Sequence, residues 1–172
     1  MNRHHTGATF IQCISNEVLD SAAVNHPYLR AIREGDVPNI DWALKDFAFQ
    51  YGLYSTSFIR YISAVIKNLR NAEHKQILLT NLAEEQGDTH NIDLPPDVLA
   101  SVTGQPHSSL YLRFQEALGV DTDYCETAQQ SPTCLLWRQQ FLQLCQMNEC
   151  VGVGAIGIGT ELIVSRIYDQ IL

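Results

Sequence analysis

The chain has 172 residues, of which 45% are hydrophobic and 17% are charged, and its formal net charge is -8. This length and composition suit one globular domain with a sizeable core, and they exclude a disordered chain. The negative charge disfavours nucleic acid and anionic membranes as partners, because both would repel the protein.

The start of the chain, MNRHHTGATFIQCISNEV, lacks the long apolar core and small-residue cleavage site of a secretory signal. The longest uncharged apolar run, 150–160, is too short to span a membrane, and Glu161 ends it. The five cysteines form no C-x-x-C pair and indicate free thiols in a reducing compartment. We therefore expect a cytoplasmic protein with no membrane partner.

Helical periodicity runs through the first half of the chain. A helical segment is expected within 11–34, with an interruption near NHPYL, because Pro27 disfavours helix at the residue before it. A long helix is expected at 39–69, where aromatic and apolar residues step by three and four. A further helix is expected at 71–86, ending at Gly87.

The second half shows the same helical pattern. A turn-rich segment, DTHNIDLPPDVLASVTGQPHSS, contains one short helix after its two prolines. A helix is expected at 107–118, and residues 122–133 are expected to form a polar linker. Helices at 135–147 and 150–171 complete the chain. The sequence therefore predicts an all-α bundle, with residues 1–172 as a single helical domain.

The segment VGVGAIGIGTELIV contains Gly152-x-Gly154-x-x-Gly157, the spacing of a dinucleotide-binding turn. Such a turn requires flanking strands, whereas the preceding residues are helical in pattern and only fifteen residues follow Gly157. The glycines instead indicate a buried, closely packed helix, because each one costs about 1 kcal/mol of helix stability. Glu161 would then be buried too, and a buried carboxylate needs a partner or a metal ion.

Two more ionisable side chains fall on apolar helical faces. Glu85 follows Leu78 and Leu82 on one face, whereas Glu84 points about 100° round the helix. His107 begins the apolar face of its own helix. Carboxylate oxygens and imidazole nitrogen suit Fe(II) or Mn(II) in helical bundles, and a hydrogen bond within the core is the alternative explanation for each group.

Other candidates carry weaker patterns. His90, in GDTH, is a second candidate histidine, in a turn-rich segment that is expected to be exposed. His4 and His5 are expected to belong to a terminal segment. Tyr51 and Tyr54 are expected as core aromatics, and the alternatives are a pocket wall or a redox-active tyrosine near a metal.

Four segments, taken in order, resemble the haem-oxygenase-like non-haem iron oxidases, a superfamily that includes pyrroloquinoline-quinone synthase, thiaminase and CADD-like relatives. The segments are HPYLRAIREGDV…DWALKDFAFQYGLYSTSFIRYISAV, LLTNLAEEQGD, HSSLYLRFQEALGVD and VGVGAIGIGTELIVSRIYDQIL. The resemblance covers residues 25–172, and it depends on the ordered set of segments rather than on one motif. It implies a seven-helix bundle of the haem-oxygenase type that binds no haem.

The resemblance also implies metal ligands. A Glu in NLAEE, a His ahead of LYLRF and a Glu in the glycine-rich helix correspond to Glu85, His107 and Glu161. His90 competes with His107 for the histidine position, and Glu84 is the acid adjacent to Glu85. The family's remaining ligands lie on a later helix with the pattern H-x-x-x-D-x-x-H, which this sequence does not contain. We therefore expect either a C-terminally truncated chain or half of a metal site.

The leading hypothesis is an oxidase or oxygenase that uses non-haem iron and O2 on a small organic substrate. The cofactor would be Fe, as one or two ions, with Mn as a substitute, and Tyr51 and Tyr54 would serve as catalytic residues of the pocket. A homodimer is expected. The alternative is a metal-free interaction protein that kept the helical bundle and lost the catalytic site. A third hypothesis is a cofactorless or thiaminase-type relative with a nucleophilic cysteine or a cationic pocket.

Overall fold

A computed structural model of the chain describes residues 6–90 and 93–171, and His4 and His5 lie outside these ranges. Within these ranges the protein is helical and has no β-strand, which confirms the predicted all-α class. The chain divides into a smaller unit, from the described residues of Met1–Ile40 and Val153–Leu172, and a larger unit, Asp41–Gly152. The single domain over 1–172 stays a prediction.

The smaller unit contains α1 (Gly7–Leu19), α2 (Pro27–Glu34) and the last helix of the chain, α11 (Leu162–Ile171). The α11 helix packs against both α1 and α2. The α2 helix begins after His26, whose ring nitrogen accepts a hydrogen bond from the Tyr28 N–H. The predicted interruption near NHPYL is therefore confirmed, since α1 ends before this segment and Pro27 occupies the first position of α2.

The larger unit contains seven helices in chain order within its described residues. They are α3 (Ile40–Ser55), α4 (Phe58–Asn68), α5 (Ala72–Glu85), α6 (Pro96–Val102), α7 (His107–Ala117), α8 (Thr122–Thr127) and α9 (Pro132–Gln146). The α4 helix packs against α5 and α9, and α5 packs against α7. The prediction of a linker at 122–133 was wrong in its first half, which forms α8. The Asp121 carboxylate accepts a hydrogen bond from the Tyr124 N–H and caps this helix.

The long helix predicted at 39–69 is in fact two helices, α3 and α4, which are separated at Thr56 and Ser57. The Thr56 hydroxyl donates to the Gly52 carbonyl at 2.7 Å, and the Ser57 hydroxyl donates to the Leu53 carbonyl at 3.1 Å. Such hydroxyls compete with backbone N–H groups for the same carbonyls. The apolar periodicity continues across this break, which is why it did not reveal the break.

Aromatic rings from α3, α4 and α9 form the centre of the larger unit. The Tyr54 ring lies 5.9 Å from Tyr61, 5.2 Å from Trp137 and 6.0 Å from Phe141, measured between centroids. Tyr61 and its neighbour Ile62 are at most 2% exposed. Burial of such large rings is a main source of stability in a domain of this size, and it fixes these three helices together.

The glycine-rich segment belongs to a helical stretch, Glu149–Ile171, which comprises α10 (Glu149–Ile156), a π-helical turn (Gly157–Glu161) and α11. By length and composition alone, this stretch is long enough and apolar enough to cross a membrane. The run 150–160 alone is too short, but it lies within this longer helix, so the expectation that no segment here could span a membrane was wrong by these two criteria. The helix predicted at 150–171 is confirmed, and it runs through Glu161 by way of the π-helical turn.

The expected burial of this helix was also wrong in two respects. A Cβ on Gly154 or Gly157 would have no neighbouring atom within 4 Å, so these glycines serve no close helix contact. Glu161 is exposed. The burial was predicted from the number of glycines, and two of these glycines face open space, so they do not require a packed neighbour.

Backbone from two loops crosses beside the end of α5. Gly87 has a φ of 100°, and its carbonyl accepts a hydrogen bond from the Gly104 N–H at 3.0 Å. A Cβ on Gly87 would lie 2.8 Å from the Gln105 nitrogen. The hydroxyls of Thr89 and Thr103 lie 3.1 Å apart and tie the same loops together. This crossing brings the last turn of α5 close to the first turn of α7.

The crossing predicts different outcomes for two glycine substitutions. Gly87 and Gly104 both have positive φ, at 100° and 73°, but a Cβ on Gly104 would meet no atom within 4 Å. We expect Gly104→Ala to lower the free energy of unfolding by about 1 kcal/mol through strain alone, and Gly87→Ala to lower it by about 2–4 kcal/mol. Urea unfolding followed by circular dichroism measures both. Equal losses would show that the crossing tolerates a side chain at Gly87.

A second pair of substitutions tests the glycine-rich helix. A Cβ on Gly152 would lie 3.0 Å from Val65 Cγ2, and Val65 is fully buried and stiff, so Gly152→Ala overpacks the core. We expect this variant to be less stable than the wild type by about 1 kcal/mol. Gly154→Ala fills open space and should gain about 0.5–1 kcal/mol from helix propensity. The same unfolding experiment applies, and a stabilised Gly152→Ala variant would contradict the close contact.

Candidate metal centre

Glu85 and His107 meet where α5 ends and α7 begins. The distance from His107 Nδ1 to Glu85 Oε1 is 2.9 Å, and the side chains are 44% and 14% exposed, respectively. The carboxylate thus lies beside the first turn of α7, where the N-terminal end of the helix dipole favours negative charge. The structure therefore brings together two of the three ligands that the resemblance implied.

The position of His107 is fixed by the packing of α7 against α3. The Ala48 carbonyl accepts hydrogen bonds from Tyr111 Oη at 3.0 Å and from Gln115 Nε2 at 2.9 Å, and both donors are buried. A Cβ on Gly52 would overlap the Gln115 amide, so the glycine provides the space for this side chain. Tyr111 lies one turn after His107, and the anchor therefore holds the start of α7 in place.

Asn81 is a residue that the sequence analysis missed. It lies one turn before Glu85 on the same face of α5. Its Oδ1 atom is buried and has no hydrogen-bond partner among the residues that the structure describes. An unsatisfied buried acceptor is costly, so this oxygen indicates a donor that the described chain does not supply. Its four-residue spacing from Glu85 is the signal that could have identified it.

The competing candidates near Glu85 lie elsewhere. Glu84, the residue before Glu85 on α5, is half-buried. The His90 side chain is 90% exposed and pairs with Asp88, its neighbour in the same turn. The backbone N–H of His90, and then its ring, lower the pKa of Asp88 by hydrogen bonding. Of the two candidate histidines, the structure therefore places His107, and not His90, beside Glu85.

Glu161 ends the π-helical turn and belongs to the smaller unit. Its neighbour Thr160 is buried, and the Thr160 hydroxyl donates to the Ile156 carbonyl. Across residues 6–90 and 93–171, no three or more His, Cys, Asp or Glu side chains form a group that could hold a metal ion. The role of Glu161 as a ligand stays a prediction from the resemblance.

Tyr51 and Tyr54 lie in the aromatic centre of the larger unit. Tyr54 is 8% exposed and Tyr51 is half-buried, and their ring centroids lie 5.4 Å apart. A half-open cleft of about 270 Å³ in the same unit is lined by other residues, namely Arg60, Ser63, Ala64, Lys67, Asn68, Leu142 and Gln146. This cleft therefore does not coincide with the predicted site, and a catalytic role for the two tyrosines stays a prediction.

The five cysteines are free thiols. Cys145 is buried, and desolvation raises the pKa of its thiol to about 11. Because the thiolate is the nucleophilic form, a raised pKa makes this cysteine inert at neutral pH. Cys145 is therefore not the nucleophile that a thiaminase-type mechanism would require.

The donor chemistry of the site fits iron. A carboxylate oxygen and an imidazole nitrogen are the ligand types that non-haem iron takes in helical bundles. The unsatisfied amide oxygen of Asn81, one turn away from Glu85, is a further oxygen atom available for binding. The described residues thus provide two converging candidate ligands and a nearby acceptor, rather than a complete coordination shell.

Comparison with protein families gives a match over residues 45–172 to the family described as iron-containing redox enzymes, within the haem-oxygenase-like superfamily. The matched range covers most of the chain and includes Glu85, His107 and Glu161. A comparison with curated proteins gave no match. The all-helical structure is consistent with the haem-oxygenase-like bundle that the sequence predicted. The chain belongs to the iron-containing redox enzyme family of the haem-oxygenase-like superfamily.

Proposed function

We propose that this protein is an oxidase or oxygenase that uses non-haem iron and O2 on a small organic substrate. Membership of an iron-containing redox family supports iron and redox chemistry in general. The observation that carries the proposal is the 2.9 Å contact between Glu85 and His107 at the junction of α5 and α7. We extend the proposal to a cytoplasmic homodimer with one or two ions per chain, in which manganese is the substitute for iron.

Glu85 and His107 are the side chains that would hold the iron. The bound iron would supply the redox chemistry and the activation of O2. Asn81 Oδ1, buried one turn before Glu85, would accept a hydrogen bond from an O–H or N–H group of the substrate. Tyr51 would face the substrate as part of the pocket wall, and Tyr54 would support it from the aromatic centre.

The energetics of the pair support a functional role over a structural one. The His107 side chain is 44% exposed, and pairs with an exposed member contribute only about 0–1 kcal/mol to stability. The fold therefore gains little from the contact, whereas the anchor at Ala48 and the crossing at Gly87 both direct these two side chains to one point. Substitutions at Glu85 and His107 should accordingly leave the protein folded.

Anaerobic titration with Fe(II) tests the site. We expect Glu85→Gln and His107→Asn each to weaken Fe(II) binding by at least about tenfold, because each removes a direct ligand. Competition with a chromogenic Fe(II) chelator measures the affinity. The matched controls are Glu84→Gln and His90→Asn, which make the same chemical changes at neighbouring positions and should bind Fe(II) as the wild type does.

The titration also separates the alternatives. If the wild type takes up no Fe(II), the oxidase proposal fails and a metal-free interaction protein takes its place. If His90→Asn weakens Fe(II) binding and His107→Asn does not, the ligand is His90 and the assignment of His107 is wrong. Glu161→Gln, measured separately, tests the third ligand that the resemblance implies. Consumption of O2 by the Fe(II)-loaded protein, recorded with an oxygen electrode against Fe(II) in buffer, then tests the use of O2.

A further inference from the structure

Four oxidisable rings form a continuous series within the larger unit. The ring centroids of Tyr111 and Tyr51 lie 5.7 Å apart, those of Tyr51 and Tyr54 lie 5.4 Å apart, and those of Tyr54 and Trp137 lie 5.2 Å apart. At one end, Tyr111 lies one helical turn after His107 on α7. At the other end, Trp137 is 41% exposed. The series therefore leads from the candidate iron ligand to the protein surface.

The chemistry of these rings exceeds what packing requires. At Tyr54, a phenylalanine ring would pack as Phe58 and Phe141 do beside it, and would bring no hydroxyl into the core. A buried tyrosine hydroxyl needs a hydrogen-bond partner, and Tyr111 uses the Ala48 carbonyl for this purpose. Each member of the series can lose one electron and one proton, which a phenylalanine ring cannot do under the same conditions.

We propose that Tyr111, Tyr51, Tyr54 and Trp137 form an electron relay between the candidate iron site and the solvent. In each step, an oxidised inner ring gains one electron and one proton, and the next ring outward loses one electron and one proton. At Trp137, a soluble one-electron donor of the ascorbate or thiol class supplies the electron, and solvent supplies the proton. One donor molecule is thus oxidised by one electron for each interior tyrosine that is restored.

The relay depends on the proposed function in one respect, which is that the iron site would supply the oxidising equivalent. Transfer between the rings depends on their separation and on their redox chemistry, and it requires no bound iron. Electron transfer weakens steeply with distance, and every step in this series joins rings whose centroids are at most 5.7 Å apart. The relay can therefore be tested on the metal-free protein, independently of iron binding.

Pulse radiolysis of the full chain tests the relay directly. Azide radicals oxidise exposed indoles, and in the Trp42→Phe background Trp137 is the one tryptophan of the sequence. We expect the indolyl radical at Trp137 to decay as a phenoxyl radical appears, because Trp137 regains an electron and a proton from Tyr54; this is the outermost step of the relay run in reverse, and it requires the same contact between the two rings. The conversion should be first-order and independent of protein concentration, and the two radicals are followed by their separate absorption bands.

The Tyr54→Phe substitution, made in the same background, is the decisive variant. It keeps the ring that packs against Trp137 and Phe141 and removes the oxidisable hydroxyl, and a melting curve checks that the variant is folded at the temperature of the experiment. We expect the fast intramolecular conversion to be lost. The matched control is Tyr124→Phe, since Tyr124 packs against Phe49 and Lys45 instead, and this variant should keep the conversion.

The outcomes distinguish the relay from the proposed function. A Tyr54→Phe variant that converts as fast as its parent, or a parent that shows no first-order conversion, overturns the relay. Loss of conversion in Tyr124→Phe as well would also overturn it, because the effect would then not be specific to the series. Failure of Fe(II) binding in a protein with intact conversion overturns the proposed oxidase and leaves ring-to-ring transfer standing.

Discussion

The Ala48 carbonyl holds α7 against α3 with two buried hydrogen bonds, from Tyr111 and from Gln115. Each such bond contributes about 0.5–1.5 kcal/mol, but loss of one partner leaves a buried polar group unsatisfied at a cost of about 1–3 kcal/mol. Loss of one partner therefore costs more free energy than the hydrogen bond contributes to stability, and this favours one fixed position of α7. Gly52 is part of the same constraint, because any side chain there would overlap the Gln115 amide.

The candidate metal centre follows from this constraint and from a second one on the opposite side. The backbone crossing at Gly87 brings the end of α5 to the start of α7, so that Glu85 reaches His107. Glu85 is at the C-terminal end of α5, where the dipole of that helix disfavours a negative charge. Its carboxylate lies at the N-terminal end of α7, where the dipole of that helix favours one. Both candidate ligands therefore stand on helices, and side chains on rigid elements would hold a metal more precisely than side chains on loops.

Sequence periodicity predicted the helices well because their apolar faces are regular, and it failed where side chains act on the backbone. The hydroxyls of Thr56 and Ser57 separate α3 from α4. The Asp121 carboxylate caps α8 within a segment that was predicted to be a linker. The predicted burial of Glu161 did not hold, because it was inferred from glycines of which two face open space. Local hydrogen bonds leave no mark on an apolar pattern.

The site was predictable in part for a similar reason. Spacing along one helix placed Glu85 and His107 on inward faces, and the resemblance paired them, but neither gives the distance between side chains on different helices. That distance depends on the loop crossing at Gly87, which is set by a positive φ and a close backbone approach. Asn81 was missed because a neutral amide is common on helices, and only the structure shows that its Oδ1 is buried and unsatisfied.

The aromatic centre combines two properties that depend on different parts of the same side chains. Packing of α3, α4 and α9 depends on ring area and on contacts such as that between Tyr54 and Trp137, which a phenylalanine ring also makes. Transfer of an electron and a proton depends on the phenol hydroxyl and the indole N–H. At Tyr54, one oxygen atom separates tyrosine from phenylalanine, so ring packing there does not depend on the group that the proposed relay uses, whereas the Tyr111 hydroxyl also anchors α7. Tyrosine in place of phenylalanine at such a position therefore adds an oxidisable group without repacking the helices.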